Sequence, residues 1–362
     1  MRVRWFAVHE RQDCTRFLPG GSWQYLEGYM RYNSKVKADT GALKVWSVRV
    51  AAWLATVLGL GAYADGGGMR VRSGSTSLGA GDRELVPCAV FSHGLAGNRG
   101  THSGLLARIA AQGVVVAAVE HRDGSSGAAD DGDDRPFLFY EGTVTRARRI
   151  EQQQQRVKEA LGALSVLEAL NEGGNQALAL APVRGSEARA RATRTVLGSF
   201  AGRLDVDACA AIGHSFGGLT ALHCAMTDRF ARCFTMDPWL MPYESPVAGM
   251  PQARAFESTP LGVLYSRFEH TWSRNEYGVH PAGRNSDAVR DLLAARRPPA
   301  PTVRVDLPGT THMSCTDLFV LPRLGSFLQV RACARVRPLG AALTHATRRE
   351  LFSIARGPNQ KD

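Results

Sequence analysis

The sequence predicts an α/β fold, a mostly parallel central sheet with helices on both faces. Three observations predict it. Short apolar runs rich in Val, Ile and Ala alternate with helical stretches along the chain. The strongest helical periodicity covers residues 145–170. One apolar run, Ala208 to Ile212, leads into Gly213-His214-Ser215-Phe216-Gly217-Gly218, and a helix of small residues follows from Leu219 to Met226. G-x-S-x-G alone would arise by chance in about one chain of this length in ten, at about 7% usage for each fixed position. The strand before it and the helix after it carry the signal.

Taken in order, the first element is a helix from Trp46 to Leu58. Trp46, Val50, Trp53, Leu54, Val57 and Leu58 fall on one stripe, with Arg49 beside it and Ala52, Ala55 and Thr56 on the far side. Its uncharged part, Val50 to Ala64, has 15 residues, fewer than the roughly 20 needed to span a bilayer. Two readings remain open: a buried core helix, or a helix lying in a lipid surface.

Six runs then read as strands: Cys88 to Ser92, Val114 to Glu120, Ala208 to Ile212, Cys233 to Met236, Leu261 to Tyr265 and Val303 to Leu307. The helix over 145–170 buries Val157, Leu161, Leu164, Val166, Leu167 and Leu170. Arg146, Arg148, Arg149, Glu151 and Gln152 to Gln155 are expected on a solvated face. Residues 173–197, 242–260 and 275–301, rich in Gly, Ala, Arg and Pro, are expected as surface insertions in a single domain covering 1–362.

Composition narrows the function. With 44 basic and 33 acidic residues the formal charge is +11. The excess is scattered among arginines and no nucleic-acid motif accompanies it, so a nucleic-acid partner is not expected and an anionic lipid surface is. The seven cysteines (14, 88, 209, 224, 233, 315 and 333) show no C-x-x-C spacing and read as reduced thiols, several of them in the core. Met1-Arg2-Val3-Arg4-Trp5 is not followed by an apolar segment and cleavage site. A cytoplasmic or peripheral-membrane location is therefore expected, or a secreted one if the start is incomplete. Oligomeric state is not legible.

The strand-turn-helix around Ser215 has the form of a nucleophile elbow, where the two glycines make room for a sharply turned serine. Such a serine needs a base, an acid to hold that base, and amide donors for an oxyanion. On this fold the order is serine, acid, histidine. His223 falls on the elbow helix and His345 in an Arg-rich C-terminal stretch, so both read as structural. His312, just after the strand Val303 to Leu307, is preferred as base over His270 and His280. Asp237, ending the run Cys233 to Met236, is preferred as acid over Asp306, Asp287 and Asp291. Phe216 and Leu95 are the candidate backbone donors, Leu95 through the loop Phe91-Ser92-His93-Gly94-Leu95-Ala96-Gly97. His93 reads as structural.

These residues carry a resemblance. Phe91 to Leu95, Val116 to Asp123 with its Glu-His-Arg-Asp block, the helix from Arg149 to Leu167, Ile212 to Gly218, Met236-Asp237-Pro238-Trp239 and His312 resemble the platelet-activating factor acetylhydrolase family, in its plasma and intracellular type II branch. The resemblance implies an α/β-hydrolase that removes the short or oxidised sn-2 acyl group of a phospholipid without calcium, metal or organic cofactor. It places nucleophile, acid and base on Ser215, Asp237 and His312, oxyanion donors on Leu95 and Phe216, and lipid-particle contact near Trp46 to Leu58. It sets Met1 to Phe6 inside an early strand and makes the stretch from Asp237 to His312 longer than usual. Glu120 to Asp123 read as a structural charge cluster. Two other functions fit the same residues: a general carboxylesterase, thioesterase or lipase, and a lipid-surface binding protein with a vestigial site.

Overall fold

In chain order the elements are β1 (Arg2–Phe6), β2 (Thr15–Arg16), α1 (Trp23–Asn33), α2 (Ala42–Val57), β3 (Tyr63–Ala64), β4 (Val86–Ser92), α3 (Ser103–Ala110), β5 (Val115–Glu120), β6 (Ala128–Ala129) and β7 (Leu138–Phe139). There follow α4 (Arg146–Glu172), β8 (Leu204–His214), α5 (Phe216–Ala225), β9 (Arg232–Met236), β10 (Leu261–Ser266), α6 (Asn285–Ala295) and β11 (Thr302–Leu307). The computed structural model describes residues 2–6, 15–16, 23–35, 40–57, 63–64, 85–110, 112–130, 137–173, 198, 200–240, 242–243, 257–266, 285–296 and 301–316.

Among the described residues, seven strands form one sheet in the order β1-β5-β4-β8-β9-β10-β11. Six run parallel, and β1 pairs antiparallel with β5 at the edge, Trp5 opposite Ala117. This is the α/β-hydrolase arrangement. Strands covered on both faces read as unbroken apolar runs, and every residue of β5 and β10 is buried. On β11, the opposite edge, burial alternates, and Arg304 pairs with the exposed Asp306 at 2.9 Å. Edge charges of this kind discourage pairing with another chain.

Two apolar layers sandwich the sheet. On one face Ala160, Ala163, Leu164, Leu167 and Leu170 of α4 pack with Leu219 and Leu222 of α5 and with Val289 and Leu292 of α6. On the other face Leu106 and Ala110 of α3 close over Phe91, Val116 and Ile212. Helix α4 starts where the Thr145 hydroxyl accepts from the Arg148 N–H and ends at Gly173, whose φ of 75° is left-handed. Such an N-cap contributes about 1 kcal/mol.

Three expectations need correction. Composition marks 275–301 as a surface insertion, yet α6 lies within it and buries Asn285, Ala288, Val289 and Leu292, because its apolar residues recur at helical spacing between charged ones. On α4 part of the supposed solvated face is interior: Arg149, Gln152 and Gln153 are buried, as are the neighbouring Arg156 and Glu159, while Gln154 and Gln155 are exposed. Hydrophobic periodicity sees apolar character only, and these polar groups are buried with partners.

The third concerns α2. It packs on α1 through Val48 and Ala52, small enough for close approach, with Tyr25, Leu26, Tyr29 and Met30 opposite. Trp46 and Trp53 turn outward, 61% and 50% exposed, and Val50 is half-buried. A buried core helix is therefore not the outcome for this stripe. The side chains of Leu54 and Val57, and the whole of Leu58, lie outside the described residues. Among the described residues, no helix is long and apolar enough to cross a membrane.

Candidate active site

The carboxyl ends of β4, β8, β9, β10 and β11 converge where the strand order reverses beside β4, the region where ligands bind in open α/β sheets. Each end delivers one part of the site.

Strand β8 ends at His214, and Ser215 turns the chain into α5 with φ 58° and ψ −121°. A non-glycine residue in such a conformation costs of order 1–3 kcal/mol and needs its surroundings to hold it. Here the Ser215 N–H donates to the Met236 carbonyl at 2.9 Å. Its own carbonyl accepts from Gly218, Leu219 and Trp239. A Cβ on Gly213 would strike the Gly217 carbonyl, and one on Gly217 would strike the carbonyl of Ser92. Both glycines are thus required by close backbone approach.

Asp237 follows β9, buried and with φ 43°. Its Oδ1 accepts from the Ser266 N–H at 2.6 Å, and its Oδ2 lies 3.4 Å from Nδ1 of His312. Burial alone would raise this carboxyl, but His312 and the Ser266 amide outweigh it and hold Asp237 below the usual carboxylate range. It is ionised at neutral pH.

His312 sits in a turn after β11 that is closed by Ser314 N–H to Thr311 O at 2.9 Å and Thr310 Oγ1 to Leu307 O at 2.8 Å. The turn is fastened to the elbow. His214 Nε2 lies 2.9 Å from the His312 carbonyl, and the two rings are 4.5 Å apart. The structure therefore sets Ser215, Asp237 and His312 after β8, β9 and β11, all at the carboxyl end of the sheet, with Asp237 and His312 in contact.

The loop after β4 lies against the elbow. A Cβ on Gly94 would stand 3.1 Å from the Ser215 Cβ. Ala96, at φ 55°, donates to Ser125 O at 2.8 Å, and Gly97 to Gly94 O at 3.2 Å. Among the described residues, no protein acceptor takes the N–H of Leu95 or Phe216. These two amides are available for a developing oxyanion.

Other candidates fall away. His223 is buried, with Nδ1 3.5 Å from Gln153 Nε2 and its ring edge-on to Tyr243. Asp287 pairs with Arg290, and Asp306 with Arg304, both on the outside. His270, His280 and His345 lie outside the described residues, as do Cys14 and Cys333. Cys88, Cys209, Cys224, Cys233 and Cys315 are buried thiols.

Sequence reasoning missed the layer behind the site. Ser92, His121 and Glu159 form a buried relay, Oγ to Nε2 at 2.8 Å and Nδ1 to Oε2 at 2.7 Å. Burial drives His121 well below its ordinary value and Glu159 above its own. Arg156, fully buried, donates Nε to Asp123 Oδ2 at 3.1 Å and to Ser125 Oγ at 2.8 Å, and Nη1 to the His93 carbonyl at 2.5 Å. Its guanidinium stands 4.7 Å from the centre of the Phe216 ring. Glu120 meets Arg99 and the Tyr25 hydroxyl. The Glu-His-Arg-Asp block is thus a buried network of hydrogen bonds and ion pairs behind the loop after β4. Among the described residues, two groups of buried donors could hold a metal: His214, Asp237 and His312, and His102, His214 and Cys315.

Residues 69–255, more than half of the chain, match the family model described as platelet-activating factor acetylhydrolase, isoform II. A platelet-activating factor acetylhydrolase of Cavia porcellus is 34% identical over 169 residues, 44% of this chain and 36% of that protein. That of Canis lupus familiaris is 32% identical over 183 residues, 45% and 37% of the two chains. The matched region thus spans little more than a third of these relatives. A ferulic acid esterase of Streptomyces cinnamoneus superposes with a TM-score of 0.44 at 18% identity, over 75% of this chain and 66% of its own; so distant a likeness adds nothing to the argument.

Proposed function

This chain belongs to the platelet-activating factor acetylhydrolase, isoform II, family, and from that premise we propose that it is a serine esterase. Its proposed reaction is calcium-independent removal of the acetyl, or another short or oxidised acyl group, from the sn-2 position of platelet-activating factor-like phospholipids. The single observation that carries the reading is the convergence of a strained Ser215, the Asp237–His312 pair and two uncommitted amides at the carboxyl end of the sheet.

In the proposed mechanism Ser215 Oγ attacks the ester carbonyl as His312 takes its proton. Asp237, 3.4 Å from Nδ1, holds the imidazole in the tautomer whose Nε2 accepts that proton, and stabilises the imidazolium that forms. The N–H groups of Leu95 and Phe216 receive the oxyanion. Collapse expels the lysophospholipid oxygen, which His312 protonates, and water activated by the same histidine hydrolyses the acyl-enzyme. No step calls on calcium or an organic cofactor. Trp46, Val50 and Trp53 are the proposed contact with a lipid surface, and Leu54, Val57 and Leu58 extend that stripe along the sequence.

The test is acetate release from a 2-acetyl ether phosphocholine with a calcium chelator present, comparing the parent with Ser215→Ala. Loss of a triad nucleophile typically lowers kcat by about 10⁶. Chelator-resistant turnover that disappears in the variant supports the proposal. A folded parent that reacts with a fluorophosphonate but releases no acetate would retain the esterase and remove this substrate.

A further inference from the structure

We propose that His102, His214 and Cys315 form a zinc site that ties the turn carrying His312 to the nucleophile elbow. The three residues come from separate segments: the turn leading into α3, the last residue of β8, and the turn after β11. Their ligand atoms lie within 4.8 Å of one another, and all three residues are buried.

His102 supplies the independent observation. It is 1% exposed, and among the described residues neither of its ring nitrogens has a hydrogen-bond partner. Its ring rests 4.9 Å from Phe91 and 5.0 Å from His214. The Nδ1 of His214 is likewise buried without a partner, its Nε2 being committed to the His312 carbonyl. Buried polar groups are almost always satisfied, so these unpartnered imidazole nitrogens, on two rings within reach of a buried thiol, require a reason.

A bound ion supplies one. Two imidazoles and a thiolate suit zinc, which takes nitrogen and sulfur donors in a tetrahedron with a water in the remaining position. Neighbouring donors on such an ion stand about 3.5 Å apart, so the side chains close by about 1 Å to bind it. The Cys315 thiol releases its proton to solvent on ligation, while both imidazoles bind neutral. Cys315 lies three residues beyond His312 and its Sγ is 3.7 Å from the His312 carbonyl. An ion held there adds a second tether to the one His214 already provides. The role is positional and leaves the ester chemistry to Ser215.

The experiment saturates the parent, Cys315→Ser and His102→Gln with zinc, removes loose metal by gel filtration, and measures bound metal, melting temperature and, with cobalt in place of zinc, the absorption spectrum. The expected parent holds one zinc per chain, melts at a higher temperature with zinc than without, and shows a thiolate-to-cobalt charge-transfer band. Cys315→Ser loses the metal, the melting shift and the band. If it does not fold, His102→Gln, which retains the thiol, is expected to lose at least tenfold in zinc affinity. A parent without zinc after saturation, or stoichiometry and spectrum unchanged in the folded variants, overturns the proposal. None of these readouts depends on which ester is hydrolysed.

Discussion

Arg156 donates Nη1 to the carbonyl oxygen of His93 at 2.5 Å while its guanidinium lies against the ring of Phe216. One side chain therefore braces both arms of the proposed oxyanion hole: the turn that presents the Leu95 N–H, and the residue whose own N–H is the second donor. The ion pair with Asp123 at 3.1 Å fixes where that guanidinium sits.

Arg156→Lys keeps the charge and loses the planar fork that reaches Asp123, Ser125 and His93 together. A displacement of about 1 Å at an oxyanion donor costs about 10²-fold, so kcat is expected to fall 10- to 100-fold with little change in KM. Steady-state kinetics on a soluble ester, beside a thermal melt of the same sample, checks it. A kcat within twofold of the parent would remove Arg156 from the positioning of the oxyanion loop.

Asp237→Asn leaves the shape of the site while removing the charge that selects the His312 tautomer. For a triad acid the expected loss in kcat is about 10⁴-fold. Labelling by a fluorophosphonate should slow in parallel, since it too needs an activated Ser215. A loss under tenfold would point to another acid.

The parts of the site legible in the sequence are those that local chemistry marks. Ser215 stands between glycines after an apolar run, and Asp237 and His312 each follow a run that ends in turn residues. What lay hidden depends on contacts between distant segments. Arg156 looks like one more polar residue on a long helix until His93, Asp123 and Phe216 fold around it. Gln152 and Gln153 look solvated for the same reason. His102, His214 and Cys315 have no motif spacing, so only the sheet topology brings them together. On α2 the stripe was visible but its direction was not, because the buried edge is set by Ala52 and Val48 fitting α1.

That outward direction has a consequence. Burying a large apolar side chain contributes about 1.5–3 kcal/mol, and Trp46 and Trp53 are roughly half exposed, which leaves about 1 kcal/mol each to gain at a lipid surface. The double variant Trp46→Ala, Trp53→Ala is expected to bind phosphatidylserine-containing vesicles about 30-fold more weakly and to hydrolyse a soluble ester at the parental rate. Vesicle co-sedimentation measures the first quantity. Equal partitioning of parent and variant would sink the lipid-surface role of this stripe.

Acid should destabilise the fold through the histidines behind the site. Burial, reinforced by Arg156, holds both His93 and His121 well below the ordinary imidazole value of 6.5. His93 also faces His121 and His214, and His121 faces Asp123 and Glu159. Below about pH 6.5 the unfolded chain takes up a proton at each imidazole while the native state does not, so stability rises with pH through that window and is lost as pH falls. These two groups remove about 2–3 kcal/mol between pH 7 and pH 5.5, and His102 and His214, which burial also lowers, add a loss of the same sign. Glu159 acts in the opposite sense: burial raises its carboxyl, so its contribution is lost as pH rises from the ordinary carboxylate value through the raised one and is regained on acidification, offsetting part of the imidazole loss. Denaturant titrations at the two pH values measure the difference, and His121→Gln should reduce it by about 1 kcal/mol. A stability unchanged between them would mean that these imidazoles are protonated in the native protein, and the neutral Ser92–His121–Glu159 relay would have to be abandoned.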